Sequence, residues 1–276
     1  MNLQTWRREA AQQLSTVGIE SASLDALVLL CDELGREKSW VLAHGEEPLS
    51  ATTEAALNTK VMQRAQHIPL AYIRGRVEFY GREFAMNTHV LVPRPESESM
   101  IELLKHSITH DASCTIADIG TGSGALAITA KLELPSASVF ATDIDERCLE
   151  IAQKNAVKLE ADITFLHGDL LSPLPHINST DHKLVILANL PYVPEQYPIN
   201  TAASHEPALA LFSGKDGLDH YARLFAQAHA LPVAPSYIVT ECLMEQQDSL
   251  STLAQQSGYQ MVQTDGLAQL FTYTAR

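Results

Sequence analysis

The residues best suited to chemistry stand at the ends of apolar runs in the second half of the chain. Ala117-Asp118-Ile119 leads into Gly120-Thr121-Gly122-Ser123-Gly124, and a segment with helical spacing comes next. Glycines let the backbone turn sharply and let a ligand approach it without a Cβ in the way. The next apolar run ends in Asp143, about 20 residues past the loop, where a carboxylate can hold ribose hydroxyls. A third run ends in Gly168-Asp169-Leu170. Asp169 can accept a hydrogen bond from an adenine amino group, and Leu170 can pack on the ring. Taken singly, each is an ordinary feature: a glycine-rich turn joins a strand to a helix, and an aspartate caps the helix or turn after it. Together they mark three successive strand ends on the carboxyl edge of one sheet, where open α/β folds bind ligands. The spacing is Gly-x-Gly-x-Gly rather than the Gly-x-Gly-x-x-Gly of dinucleotide folds, so at this point both an NAD-type and an S-adenosylmethionine-type cofactor remain open.

A fourth apolar run, Leu184-Val185-Ile186-Leu187-Ala188, ends in Asn189-Leu190-Pro191-Tyr192. This resembles the Asn-Pro-Pro-Tyr motif of methyltransferases that modify planar amide or amine nitrogens. The resemblance implies S-adenosylmethionine as methyl donor and S-adenosylhomocysteine as product. Physical chemistry explains the residue types. An amide nitrogen is a poor nucleophile because its lone pair is delocalised into the carbonyl. The side-chain oxygen of Asn189 and the backbone carbonyl of Leu190 can accept its two N–H bonds, which orients the nitrogen and opposes the positive charge developing on it. Pro191 restricts Leu190 to extended backbone, and Tyr192 offers an aromatic wall. No strong general base is needed. The competing reading is a plain turn leaving a sheet.

Positioning these groups requires a sheet, and the chain supplies one. Strands are expected at 114–118, 138–143, 163–167, 184–189 and 237–241, with helices at 125–134, 146–159, 218–230 and 245–256. Two closing strands, 260–264 and 270–274, suggest an antiparallel hairpin at one edge. Such alternation predicts a mostly parallel, Rossmann-like sheet covered by helices on both faces, with a small N-terminal helical domain before it. Residues 1–70 read as helical: Leu3, Trp6, Ala10 and Leu14 share one face, Leu24, Leu27, Leu30 and Cys31 another, with Ser21 and Ser23 as caps. A third helix spans about 52–66, carrying Ala56, Leu57, Val61 and Met62. Residues 71–95 are rich in β-formers, including Tyr72 and Ile73, and read as a hairpin linker turning at Gly81-Arg82. The segment 96–276 forms the cofactor-binding domain.

Composition narrows the function classes. The chain has 276 residues and a formal net charge of −14, from 19 Lys and Arg against 33 Asp and Glu. Neutralising duplex phosphates takes many cations, so stable nucleic-acid binding is not expected. The four cysteines (Cys31, Cys114, Cys148 and Cys242) are scattered and the eleven histidines lack ligand spacing, so no metal site is expected. No run of about 18 apolar residues predicts a membrane span. Arg7, Arg8 and Glu9 stand where a signal peptide needs an apolar stretch, so a cytoplasmic protein is expected.

Across nearly its whole length the chain resembles the release factor glutamine methyltransferases, also called HemK-type protein-(glutamine-N5) methyltransferases. The resemblance rests on Ile68-Pro69-Leu70-Ala71-Tyr72-Ile73, Glu78-Phe79-Tyr80-Gly81 and Leu91-Val92-Pro93-Arg94-Pro95-Glu96-Ser97-Glu98. It continues through the glycine loop, Asp143, the Asn189 motif and His205-Glu206-Pro207-Ala208-Leu209-Ala210-Leu211. It implies a class I S-adenosylmethionine-dependent fold. It implies cofactor contacts from Gly120, Thr121, Gly122, Ser123, Gly124, Asp143, Asp169, Leu170 and Asn189, and a substrate glutamine held by Asn189, Leu190, Pro191 and Tyr192. The implied partner is a class 1 peptide chain release factor, methylated in its Gly-Gly-Gln loop in translation termination, with the helical domain helping to recognise it. Two positions depart from the family: Leu190 replaces a proline, and Asp265-Gly266-Leu267-Ala268-Gln269 lacks the arginine of a C-terminal Gly-x-x-Arg. Asn-Leu-Pro-Tyr is also similar to the motif of ribosomal RNA adenine dimethyltransferases. An N6-adenine RNA or DNA methyltransferase therefore stays as an alternative, as does a non-catalytic S-adenosylmethionine-binding protein. Arg94 can serve the pocket rim or pair with Glu96 or Glu98. Glu206 can help shape the acceptor pocket but reads more simply as a turn cap, and Tyr72, Phe79 and Tyr80 can line the cofactor pocket but read more simply as packing between domains.

Overall fold

A computed structural model of the chain describes residues 1–108, 114–174 and 183–274. These fall into two compact units, Met1–Arg76 with Ile199–His205, and Val77–Pro198 with Glu206–Arg276.

The first unit is helical. Helix α1 (Leu3–Thr16) buries Leu3, Trp6, Ala10 and Leu14, the face its spacing predicts, and Asn2 caps it by accepting from the Thr5 N–H. Helix α2 (Ala22–Leu34) turns a different face inward from the one expected. Asp25, Ala26, Leu29 and Leu30 are buried while Leu24 is exposed, and Ser21 makes no side-chain cap. The reason is Asp25, whose Oδ2 accepts from Arg64 Nε at 2.7 Å. Helix α3 (Lys38–Ala43) is not among the expected elements. Helix α4 (Ala51–Ala65) is capped by Ser50 and buries Leu57 and Val61, leaving Met62 exposed. Helix α5 (Leu70–Arg74) corrects the β reading of Tyr72 and Ile73. Arg74 and the following Arg76 both reach the Asp32 carboxylate, and Gly75 stops the helix in a left-handed conformation (φ 69°). Tertiary ion pairing thus overrides local β-propensity. His205 Nε2 donates to the Gln66 carbonyl at 2.9 Å, tying 199–205 into this unit.

The Asp25–Arg64 pair is nearly dry, with the side chains 5% and 11% exposed. Removing one member of such a pair strands the other charge and costs about 3–5 kcal/mol. Asp25→Ala should therefore lower the urea midpoint of this unit. Both tryptophans of the chain, Trp6 and Trp40, lie in it, so their fluorescence reports its unfolding. An unchanged midpoint would mean that water satisfies Arg64.

The second unit opens with a hairpin, β1 (Arg76–Phe79) and β2 (Arg82–Ala85). Its two-residue turn is Tyr80-Gly81, both at positive φ, rather than Gly81-Arg82. The Tyr80 N–H donates to Glu98 Oε1 at 2.7 Å, fixing that conformation. After a short 3-10 turn at Pro95–Ser97 comes α6 (Glu98–Ser107). The chain then alternates as expected: β3 (Cys114–Ile119), α7 (Ala125–Glu133), β4 (Ser138–Asp143), α8 (Glu146–Lys158), β5 (Thr164–His167), β6 (Lys183–Ala188), α9 (Asp219–Ala230), β7 (Tyr237–Glu241) and α10 (Gln247–Gln256). An antiparallel pair, β8 (Tyr259–Asp265) and β9 (Ala268–Tyr273), ends it.

The seven strands run in the order β5-β4-β3-β6-β7-β9-β8, parallel from β5 to β7 and antiparallel thereafter. Side chains alternate between two buried layers. Ile116, Val185 and Leu187 enter one core cluster, and Ala117, Ile186 and Ala188 the other. A strand covered on both faces has no polar side to show, which is why these runs are apolar throughout.

Candidate functional site

Five strand ends converge at the carboxyl edge. At the end of β3, Gly120, Gly122 and Gly124 all take left-handed φ values (71°, 54° and 81°), and the N–H groups of Gly120 and Thr121 both donate to the Thr142 carbonyl. The loop is drawn inward by buried Asp118. One of its carboxylate oxygens accepts from Thr121 Oγ1 at 2.7 Å and the Ala127 N–H at 3.1 Å. Its other oxygen is buried with no partner among the described residues. Burial, and to a lesser degree the nearby Asp143, pushes the Asp118 carboxyl up to about 7.

That shift has a consequence for stability. A carboxyl raised in the folded state favours folding while protonated, and the contribution disappears as pH climbs from 3.8 to about 7. Asp118→Asn, which does not ionise, should become steadily more stable relative to the parent across that window. Urea titrations at stepped pH would test this, and parallel curves for the two proteins would refute it.

At the end of β4, Asp143 accepts from the Gly122 N–H on one oxygen and the Asp145 N–H on the other, both at 2.9 Å. Burial raises its carboxyl above the usual range. Beyond β5, Asp169 forms an ion pair with Arg223 of α9, which sequence spacing did not reveal. Leu170 is buried at φ 51°, and its carbonyl accepts from Thr142 Oγ1. A cavity of about 320 Å³ is lined by Gly120, Thr121, Gly122, Ser123, Asp143 and Asp169, together with Leu170, Asn189, Leu190 and Pro191. Gly124 and Tyr192 are not on its wall. A Cβ on Gly124 would come within 3.0–3.2 Å of Ile128 and Ala152, so that glycine serves the packing of α7 on α8.

At the end of β6, Asn189 comes after Ala188, which is in register with Thr240 of β7, so Asn189 stands beside Glu241. Asn189 Nδ2 donates to Ser97 Oγ at 3.0 Å and to Glu241 Oε1 at 3.2 Å. The Tyr192 hydroxyl donates to the same Oε1 at 3.0 Å. Glu241 is 1% exposed, and its Oε2 has no partner among the described residues. Burial raises its carboxyl, against the lowering effect of hydrogen bonds from Ser97, Tyr192 and Asn189. The Leu190 N–H donates to the Tyr221 hydroxyl, which also reaches the Ala188 and Glu241 carbonyls. Tyr221 of α9 thereby pins two strand ends at once. The Leu190 side chain covers the loop, with Cδ2 3.1 Å from where a Gly120 Cβ would stand. The glycine loop and the Asn189 motif thus abut along one wall.

Sequence reasoning missed Ser97, Tyr221, Arg223 and Glu241 as site residues, and also Gln246, which donates to the Tyr192 carbonyl at 2.8 Å. Arg94 pairs with Glu206 rather than with Glu96 or Glu98, and Glu206 also accepts from the Val92 N–H, holding the 92–94 segment in place. Phe79 lines the cavity, whereas Tyr80 donates its hydroxyl to Glu102. No group of side chains suited to a metal occurs among the described residues. No helix there is long and apolar enough to cross a membrane.

The geometry can seat an elongated ligand with hydroxyls at Asp143 and a flat ring near Leu170, its far end toward Asn189. A family model described as "PrmC N-terminal domain" matches residues 5–75, and one described as "Methyltransferase small domain" matches residues 97–204. A "Release factor glutamine methyltransferase" of Bacillus anthracis is 36% identical over 239 residues, 83% of this chain and 83% of that protein. One of Deinococcus radiodurans is 32% identical over 262 residues, covering 94% and 92%. Among solved structures, the hMettl16 catalytic domain in complex with MAT2A 3′UTR hairpin 6 matches with a TM-score of 0.54 at 14% identity, over 82% of each chain. A methyltransferase from Pyrococcus furiosus matches with a TM-score of 0.51 at 15% identity, over 82% of this chain and 100% of that one. These structural likenesses speak to the fold alone.

Proposed function

Because the chain belongs to the release factor glutamine methyltransferase family, we propose that it methylates the side-chain amide nitrogen of the Gly-Gly-Gln glutamine in class 1 peptide chain release factors. The methyl donor in this reading is S-adenosylmethionine. The observation that carries it is the Asn189 carboxamide. Its Nδ2 is committed to Ser97 and Glu241, while the residue lines the cavity beside the glycine loop.

The site's residues fit the donor. Three left-handed glycines open the backbone, Asp143 offers its remaining lone pairs to ribose hydroxyls, and Leu170 offers an apolar surface to adenine. When bound, S-adenosylmethionine supplies an electrophilic methyl on a sulfonium and leaves as S-adenosylhomocysteine. Asn189 Oδ1 and the Leu190 carbonyl accept the N–H bonds of the glutamine amide, aligning its nitrogen with the methyl–sulfur bond. As the nitrogen gains positive charge, these two oxygens oppose it, and its proton passes to solvent during or after transfer. Pro191 and Tyr221 limit the freedom of Leu190, so the acceptor pair is set before the substrate arrives. Glu241 holds Asn189 from behind, and Asp143 holds the loop.

The test is mass spectrometry of a purified, unmethylated class 1 release factor after incubation with the protein and S-adenosylmethionine. The expected result is one added methyl on the Gly-Gly-Gln peptide. No added mass, with S-adenosylmethionine bound, would overturn the substrate assignment and direct attention to RNA acceptors.

A further inference from the structure

Two acceptors face one side of the Asn189 carboxamide. Toward Asn189 Nδ2 the Ser97 Oγ presents a lone pair, accepting at 3.0 Å. Glu241 Oε1, 3.2 Å from Asn189 Nδ2, presents another. A carboxamide turned over would set its own oxygen against Glu241 Oε1, replacing an attraction by a repulsion beside a carboxyl that is 1% exposed. Among the described residues no donor reaches Asn189 Oδ1, so the flip is decided entirely from the Nδ2 side.

We infer that Glu241, with Ser97, is a positioning residue for methyl transfer: it selects the one orientation of the Asn189 carboxamide in which Oδ1 is offered to the acceptor amide. Glu241 does not line the cavity, so it acts through Asn189 and not on the substrate. This rests on the proposed role of Asn189 as acceptor of the glutamine N–H. It also gives a task to Ser97, which lies in the Pro-Arg-Pro-Glu-Ser-Glu segment. Two strand ends and one turn are needed to build the device, since β6 leads into Asn189, β7 carries Glu241, and the turn at Pro95–Ser97 carries the shared hydroxyl.

Glu241→Gln keeps the size of the side chain but can offer Asn189 an NH2 group, which favours the wrong flip. The variant should lower kcat on a release factor about tenfold while leaving S-adenosylmethionine affinity within about twofold, a coupling typical of residues in contact. In an Asn189→Ala background the same change should have less than about a twofold effect. Equal effects in both backgrounds would show that Glu241 acts through general stability, and would overturn the inference. So would an unchanged kcat in the single variant. If Glu241→Gln does not fold, Ser97→Ala enters the same cycle and must show the same loss of effect without Asn189. A readout independent of turnover separates this from the substrate assignment. In protein labelled with 15N at asparagine, the Asn189 NH2 should exchange with solvent slowly in the parent and at least about tenfold faster in Glu241→Gln. A parent that leaves release factors unmethylated yet shows this protection would refute the substrate but keep the pinning, and unprotected Asn189 would sink the inference itself.

Discussion

Replacing Asn189 by alanine should reduce methyl transfer by a factor of ~100 or more while leaving S-adenosylmethionine binding nearly intact. The size comes from removing one preorganised polar group aimed at developing charge, worth about 2.7 kcal/mol of transition-state stabilisation per hundredfold. The division between binding and chemistry comes from geometry. The backbone of the glycine loop is held by Thr142, Asp118 and Asp143, none of which touches the Asn189 side chain through a hydrogen bond. Single-turnover transfer to a release factor, paired with equilibrium dialysis of S-adenosylmethionine, separates the two quantities. Near-normal turnover would remove Asn189 from the acceptor role. A matched loss of cofactor affinity would instead mean that the end of β6 supports the loop, as the contact between Leu190 and Gly120 permits.

Gly217→Ala should be the most damaging single methyl group in the second unit. Gly217 has φ 84°, and a Cβ there would lie 2.0 Å from the Tyr192 carbonyl oxygen and 2.3 Å from Gln246 Nε2. Left-handed backbone costs a residue with a Cβ about 1–2 kcal/mol before any clash is counted. The clash falls on a clamp: Gln246 Nε2 donates to the Tyr192 and Asp216 carbonyls at 2.8 and 2.7 Å, while its Oε1 accepts from the Leu243 N–H. Relieving it must move the backbone of Tyr192 or expel Gln246, and either change loosens the chain just after the acceptor motif. The expected result is a loss of more than about 3 kcal/mol in urea denaturation, with turnover falling further than S-adenosylmethionine affinity. A native midpoint would show that the 214–218 loop yields without disturbing Tyr192, and the clamp would lose its significance.

The two results would test different kinds of constraint. In the proposed reaction Asn189 contributes directly to the acceptor, and its loss should appear in the rate. Gly217 contributes only space, and its loss should appear first in stability, then in the rate through Tyr192.

Much of this layout is legible in the linear chain. The glycine loop, Asp143 and the Asn189 motif each sit at the end of an apolar run, and their order along the chain is the order of successive parallel strands. Local chemistry explains that legibility: strand ends, sharp turns and fully buried strands impose their residue types within a few positions. The three longer helices of the first unit, α1, α2 and α4, are readable from their 3.6-residue spacing, most clearly α1. Legibility stops where partners are distant. Asp25 has the look of a surface residue of α2 and is buried because Arg64 meets it from α4. Tyr72 and Ile73 carry β-propensity, yet Asp32 draws Arg74 and Arg76 to one carboxylate and the segment coils into α5. Asp169 reads as a free acceptor until α9 brings Arg223 to it. The orientation of Asn189 is the clearest case. The motif itself names the residue, but which face of its carboxamide meets the cavity depends on Ser97 and Glu241, 92 and 52 residues away. Only the β6–β7 register and the turn before α6 bring those groups together. Spacing along the chain carries no record of a hydrogen bond that closes across it.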